Sequence, residues 1–222
     1  MRMRTVFFTF SILIISFVCT IGISAEEKDS IKLPAPQIQA GKPLMQALQE
    51  RRSSRAFSSK KLPLQIISDM LWAACGINRQ GLNHKTAPSA MNMQEIDIYV
   101  SLSEGLYVYE AKENKLILVL PQDIRAVTGK QDFVADAPVN LIYVANLAKM
   151  SKLSARDMQF YAAADTGFIS QNVYLYCASE GLATVVRGLM DVPLLSTVMQ
   201  LGSDQKIILS QTVGYPAKNS MD

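Results

Sequence analysis

The sequence predicts an α+β domain in which an antiparallel or mixed sheet is covered by helices, and three stretches carry that reading. Ile96, Ile98, Val100 and Leu102 alternate with Glu95, Asp97, Tyr99 and Ser101, the period of a half-buried strand. Residues 139–145, which follow Pro138, are almost continuously apolar, as expected of a strand buried on both faces. Residues 158–180 spread Phe160, Tyr161, Phe168, Ile169, Val173, Leu175 and Tyr176 round a helical cylinder, so this helix should be covered on all sides, centrally or in a subunit interface. At 222 residues and 49% hydrophobic composition the chain fits one domain with a sizeable core. Its 22 basic against 19 acidic side chains give no general electrostatic case for nucleic acid.

The chain opens with a basic segment, Met1-Arg2-Met3-Arg4, followed by an apolar run to Val18 and small residues at Gly22-Ile23-Ser24-Ala25. This is the pattern of a secretory signal peptide over residues 1–25, and it predicts a periplasmic or secreted protein. The run is shorter than the roughly 20 residues of a membrane span. A lipoprotein anchor at Cys19 is the lesser alternative, because Val18 stands where a small residue is expected. Loss of Arg2 and Arg4 takes the formal charge from +3 to +1.

Residues 26–40 are polar and carry Pro34 and Pro36, which suits an extended arm and not a packed element; the domain proper is expected over 41–222. Pro43 opens a first helix to about Glu50, with Leu44, Ala47 and Leu48 on one face, and Arg51 would follow on the buried side. Pro63 starts a second helix, on which Ile67, Met70, Leu71 and Ala74 form the apolar stripe and Trp72 lies off it. Residues 76–87 read as a polar loop containing the lone His84, expected at the surface. Residues 106–109 and 115–120 flank Glu113-Asn114 as a hairpin. Asp123 can cap a short helix ended by Gly129. Gly181 ends the long helix, residues 184–186 form a short β-branched strand, 193–200 a further helix and 206–213 a last strand. Cys75 and Cys177 sit among apolar residues and are expected as buried free thiols, and no Cys or His spacing suggests a metal.

Arg51-Arg52-Ser53-Ser54-Arg55 gathers more anion-binding groups than any other stretch. Planar guanidinium forks match phosphate or carboxylate oxygens, and Ser53 adds a neutral donor. By its residues alone the stretch is either a phosphate clamp or a solvated basic helix end. Asn92, in Pro88-Ser89-Ala90-Met91-Asn92-Met93-Gln94, is either a turn former or an amide that can donate and accept at once toward a ligand.

Together with Gly181-Leu182-Ala183-Thr184-Val185-Val186-Arg187-Gly188, these stretches resemble the FMN-dependent nitroreductase family, and more closely its SagB-type dehydrogenase branch, which includes peptide azoline oxidases. The resemblance runs from about Gly41 to Pro216. It implies a nitroreductase-like fold with a central, mainly antiparallel sheet, assembled as a homodimer with FMN at the interface. Arg51, Arg52, Ser53 and Arg55 match positions that hold the phosphate and ribityl chain. Asn92 matches the position facing the pyrimidine, with Ser89, Ala90 and Met91 lining the isoalloxazine from the other subunit. Val186, Arg187 and Gly188 match the stretch near the flavin N5, although Arg187 is a charge where many relatives have none: a substrate or flavin contact, or a structural ion-pair partner. Only Lys218 stands where relatives carry a C-terminal basic pair. The implied activity is transfer of a hydride or electrons between FMN and a small organic or peptide substrate, nitroaromatic, quinone or azoline-like; an exported flavin-binding protein without turnover is the alternative. Export would separate the protein from soluble nicotinamide nucleotides, so the expected electron partner is a membrane quinol, a redox protein or the organic substrate itself.

Overall fold

The computed structural model describes residues 29–218, besides Met1, so the signal segment 1–25 and Cys19 lie outside the described residues. Nine strands and four α-helices follow one another as β1 (Ser30–Lys32), α1 (Leu44–Glu50), α2 (Leu64–Cys75), β2 (Ile77–Arg79), β3 (His84–Lys85), β4 (Ile96–Leu102), β5 (Gly105–Glu110), β6 (Lys115–Leu120), β7 (Val139–Asn146), α3 (Ala155–Glu180), β8 (Ala183–Arg187), α4 (Val192–Val198) and β9 (Gln205–Gly214). Seven strands make one sheet in the order β1-β6-β5-β4-β7-β9-β8, and every pairing in it is antiparallel. This is the α+β architecture, with its mainly antiparallel sheet, that the sequence predicts.

β7 is the centre of the sheet, and seven of its eight residues are buried. Alternate side chains serve two cores. Leu141, Tyr143 and Ala145 pack with α2 and α3, whereas Ile142 and Val144 join Tyr99, Leu106, Ile124, Leu195 and Met199 on the opposite face. That second core changes the expectation for β4: the alternation predicts a half-buried strand, but α4 and the residues flanking it cover the far face, so Tyr99 and Ser101 are buried as well.

The helix boundaries follow their capping chemistry. Pro43 and Pro63 immediately precede α1 and α2. The Ser154 hydroxyl accepts the Asp157 amide at 3.1 Å to start α3, and Gly181 ends it at φ +67°, where a side chain is disfavoured. Asp191 accepts from the Leu194 amide to start α4. Asn114 takes the left-handed turn position of the β5–β6 hairpin at φ +49°. Near Asp123 the chain makes only a 3-10 turn at Arg125–Val127, with Ile124 at its N-cap and Thr128 at its C-cap in place of the expected Asp123 and Gly129; Asp123 accepts the Arg125 amide at 3.0 Å from one residue outside.

Two further expectations are corrected, and a third is refined. The 26–40 arm is extended but packed: β1 pairs with β6, Leu33 is buried, and the Asn114 side-chain amide donates to the Pro34 carbonyl at 2.8 Å. The loop 76–87 contains the small β2–β3 hairpin and leaves His84 half-buried. α3 leaves Phe160 66% and Phe168 48% exposed in the single chain, beside exposed Ala163 and Gly167, so of the two covers expected for it the central one is incomplete within one chain. Ile169, Val173 and Cys177 hold its inward face. Cys75 and Cys177 are buried free thiols, as expected, and burial pushes both up from the usual thiol range.

Because β7 is packed on both sides, Leu141→Ala and Ile142→Ala should each cost about 2–5 kcal/mol in urea denaturation. A one-sided strand would show the loss at only one of the two.

Candidate flavin site

Residues 51–57 touch β8 at Ser54 and then run beside residues 215–217, which follow β9. The Ser54 amide donates to the Thr184 carbonyl at 2.9 Å, Phe57 bridges to Pro216, and the Ala217 amide donates to the Ala56 carbonyl at 3.2 Å. Tyr174 of α3 joins the same segment to β8: its hydroxyl lies 2.9 Å from Ser53 Oγ and accepts the Val186 amide at 2.9 Å. Between these elements lies a cavity of about 450 Å³, lined among others by Arg51, Arg52, Ser54, Tyr174, Thr184 and Pro216. Its size falls in the range of small-molecule sites, about 300–1,000 Å³.

The arginines are not carried into the core as the helical spacing predicts. α1 stops at Glu50, and Arg51 turns to φ −58°, ψ 119°. Its guanidinium is half-buried, 5.3 Å from the centroid of the Tyr174 ring, while Arg52 and Arg55 are exposed. Among the described residues no carboxylate pairs with any of the three. Glu50, the acid on the cavity wall, is taken by Lys42 at 2.5 Å, which lowers its pKa. The donor set therefore faces the cavity with uncompensated positive charge, which suits an anion-ended ligand such as a phosphate ester.

Arg187 is placed elsewhere. It is 4% exposed, and its side chain donates to the Thr128 carbonyl at 2.9 Å and to Asn140 Oδ1 at 3.0 Å. No acid meets it, so burial pulls its pKa down to about 10. Its nearest approach fixes residue 129 as glycine, because a Cβ there would stand 1.8 Å from Nη1. Arg187 is thus a buried arginine whose two terminal nitrogens are met by dipoles and whose Nε has no partner among the described residues, and it is not on the cavity wall. Since the Val186 amide is also engaged, Gly188 is the exposed member of the 186–188 stretch.

Ser89, Ala90, Met91 and Asn92 form a separate neighbourhood. Ala90 donates its amide to Asp165 of α3 at 2.8 Å, whereas the arginine stretch meets Tyr174 on the same helix. Nine residues of helix separate those contacts by about 13 Å and half a turn in azimuth. Met91 and Asn92 are exposed, and Met91, Asn92 and Gln94 all hold left-handed φ values of 50–55°. Such clustering of strained backbone is a mark of functional loops. Within one chain, then, Arg51 and Arg52 share the cavity wall, Ser53 and Val186 meet through the Tyr174 hydroxyl, and Ser89 to Asn92 do not join them.

Sequence reasoning passed over Tyr174, Thr184 and a buried pair of acids, Glu95 and Asp165. Glu95 was counted among the polar positions of the β4 alternation, yet it is fully buried and neither oxygen has a hydrogen-bond partner. Burial, reinforced by Asp165, pushes its pKa up to about 7. An acid set among Ala162, Ala163, Ala164 and Ile169 in the middle of α3, as Asp165 is, is the available signal.

The nitroreductase family model matches residues 48–215. A Methanocaldococcus jannaschii protein described as a nitroreductase is 32% identical over 170 residues, covering 72% of this chain and 85% of its own. The crystal structure of a Ralstonia eutropha protein so described superimposes with a TM-score of 0.82 at 42% identity, covering 86% of this chain and 91% of that one. A Desulfovibrio desulfuricans protein solved with FMN shares the fold, with a TM-score of 0.59 at 18% identity over 82% of this chain and 91% of its own. Fold and site thus define a flavin-type oxidoreductase. The chain belongs to the nitroreductase family, whose members are FMN-dependent oxidoreductases.

Glu95 gives this neighbourhood a pH signature. Its folded pKa is above the unfolded value of about 4.3, so the native state keeps a proton that the unfolded state has already released. Its contribution therefore falls as pH rises from about 4.5 to 7, by an amount of order 3 kcal/mol. Glu95→Gln should remove that slope and gain stability over wild type at pH 8 relative to pH 5. Urea midpoints at the two pH values check this; a difference independent of pH would contradict it.

Proposed function

We propose that this chain binds FMN at the arginine-lined cavity and passes a hydride or electrons between it and a small organic substrate, nitroaromatic, quinone or azoline-like, in the cell envelope. The observation that carries the reading is the set of three guanidinium groups without acids, two of them on the cavity wall. Arg51, Arg52 and Arg55 neutralise the ligand phosphate, and Ser53, already held by Tyr174, offers its hydroxyl to the ribityl chain. Asn92 presents an exposed amide to the pyrimidine edge. FMN, when bound, supplies the hydride and electron chemistry, and the protein supplies position and electrostatics. The azoline-like substrate and the SagB-type branch rest on the sequence resemblance carried by residues 51–55, 88–94 and 181–188.

The site is completed by a second copy of the chain. The 89–92 loop and the arginine stretch lie on opposite sides of α3, and the helix leaves Phe160 and Phe168 exposed beside small residues that permit close approach. Membrane quinol or a redox protein is the proposed electron partner, on the strength of the 1–25 signal pattern.

Arg55→Ala should purify largely colourless, because losing one side of a charge-assisted contact costs on the order of 2–5 kcal/mol of binding. The yellow wild-type protein should scatter light as a dimer. Full FMN occupancy in the variant at micromolar protein would remove the clamp assignment, and a flavin-bound monomer the shared site. Stopped-flow mixing of oxidised holoprotein with NADPH or NADH should show slow, poorly saturating bleaching. Fast reduction saturating below millimolar nucleotide would defeat the proposed electron partner.

A further inference from the structure

Glu95 sits between the 89–94 loop and β4, and its backbone is fixed by the Asn146 amide, which donates to its carbonyl at 2.9 Å. Its side chain is fully buried with both oxygens unpartnered, and the Asp165 carboxyl acts on it from α3. Asp165 is 3% exposed, and one of its oxygens accepts the Ala90 amide. As carboxylates both groups are acceptors only, repel each other and lack solvent. A proton on Glu95 resolves the conflict, turning one acceptor into a donor aimed at its neighbour.

The surrounding charges do not supply another solution. Lys149, which follows β7, places its amine 3.0 Å from the Gln94 carbonyl and 3.2 Å from Asp97 of β4, so it is engaged beside the pair without meeting Glu95. Lys85 of β3 and the Cys75 thiol of α2 line the small space between Asp165 and the loop. None of these donates to either Glu95 oxygen.

We propose that Glu95 holds a proton and donates it to Asp165, and that this acid pair positions the 89–94 loop for its ligand. Asp165 grips the loop through Ala90, and the loop is further tied by the Gln94 amide to Ser89 Oγ at 3.0 Å and by Gln94 Nε2 to Asn92 Oδ1 at 3.1 Å. The left-handed backbone of Met91, Asn92 and Gln94 needs such external restraint. Ionisation of Glu95 sets two buried negative charges side by side, draws Asp165 away from Ala90 and loosens the presentation of Asn92. Both acids are positioning residues, and the inference rests on the reading that Asn92 meets FMN.

The test is flavin release on serial dilution of the holoprotein at pH 6 and pH 9, with infrared difference spectra of the carboxylic C=O region over the same range. Wild type should hold FMN roughly tenfold more weakly at pH 9 than at pH 6 relative to Glu95→Gln, the change that accompanies one pKa unit of linkage. Titration of the FMN phosphate is common to both proteins and cancels in the ratio. Glu95→Gln keeps a donor for Asp165 at every pH and should be flat. Asp165→Asn supplies the donor from the other side while still accepting from Ala90, so it should be flat too. Asp165→Ala should be weak at both pH values. A carboxylic band that titrates in wild type and is absent from Glu95→Gln identifies the proton. The proposal is overturned if Glu95→Gln follows the wild-type pH profile, or if no such band is present. A protein that shows the band yet binds no FMN at any pH supports the proton on Glu95 and defeats the flavin reading, so the two failures separate.

Discussion

Asp165 and Tyr174 stand half a helical turn out of phase on one rigid helix, and the placement of every candidate group depends on that spacing. α3 carries the inner core on Ile169, Val173 and Cys177, the arginine stretch through Tyr174, and the 89–94 loop through Asp165. The capped ends at Ser154 and Gly181 keep its register fixed, so neither contact can drift toward the other. A helix of this length used on several faces cannot also be a simple amphipathic cover. That is why its exposed face is apolar and small where a second copy is proposed to dock.

Charge is distributed with the same economy. Among the described residues Arg51 and Arg52 on the cavity wall, and Arg55 near them in sequence, have no acid partner, while the nearby Glu50 is neutralised by Lys42. Arg187 also lacks an acid but is solvated by Thr128, Gln131 and Asn140 in the interior. The two situations look alike in sequence, and burial separates them. A guanidinium whose terminal nitrogens are held by protein dipoles is fixed in place even with its Nε unpartnered, whereas one left at the mouth of a cavity keeps its fork for a ligand.

Much of the fold was legible because its signals are local. Pro43, Pro63, Gly181 and Asn114 mark boundaries by their own backbone preferences, and the apolar run of β7 announces a strand buried on both sides. What was not legible depends on partners distant in sequence. Tyr99 and Ser101 look solvent-facing until α4, some ninety residues on, covers them. The arm at Ser30–Lys32 looks free until Asn114 catches Pro34. In the site, the arginine stretch and the 89–92 motif were recognised as motifs, but their separation within one chain was not readable from them. Glu95 hid in a period-two pattern that places every second side chain outside, a rule that fails wherever the second face is covered.

The way residues 51–57 meet β8 at Ser54 links ligand binding to solubility. An unpaired strand edge is a template for sheet-to-sheet association, and here Ser54 and Tyr174 occupy the donors and acceptors that β8 leaves open. Those residues also wall the cavity. A chain that releases its ligand and lets this segment fray uncovers a β-edge as well as a vacant pocket. With FMN in this cavity as proposed, cofactor saturation during expression would act as a colloidal safeguard, and variants that empty the cavity would be the ones to watch for precipitation.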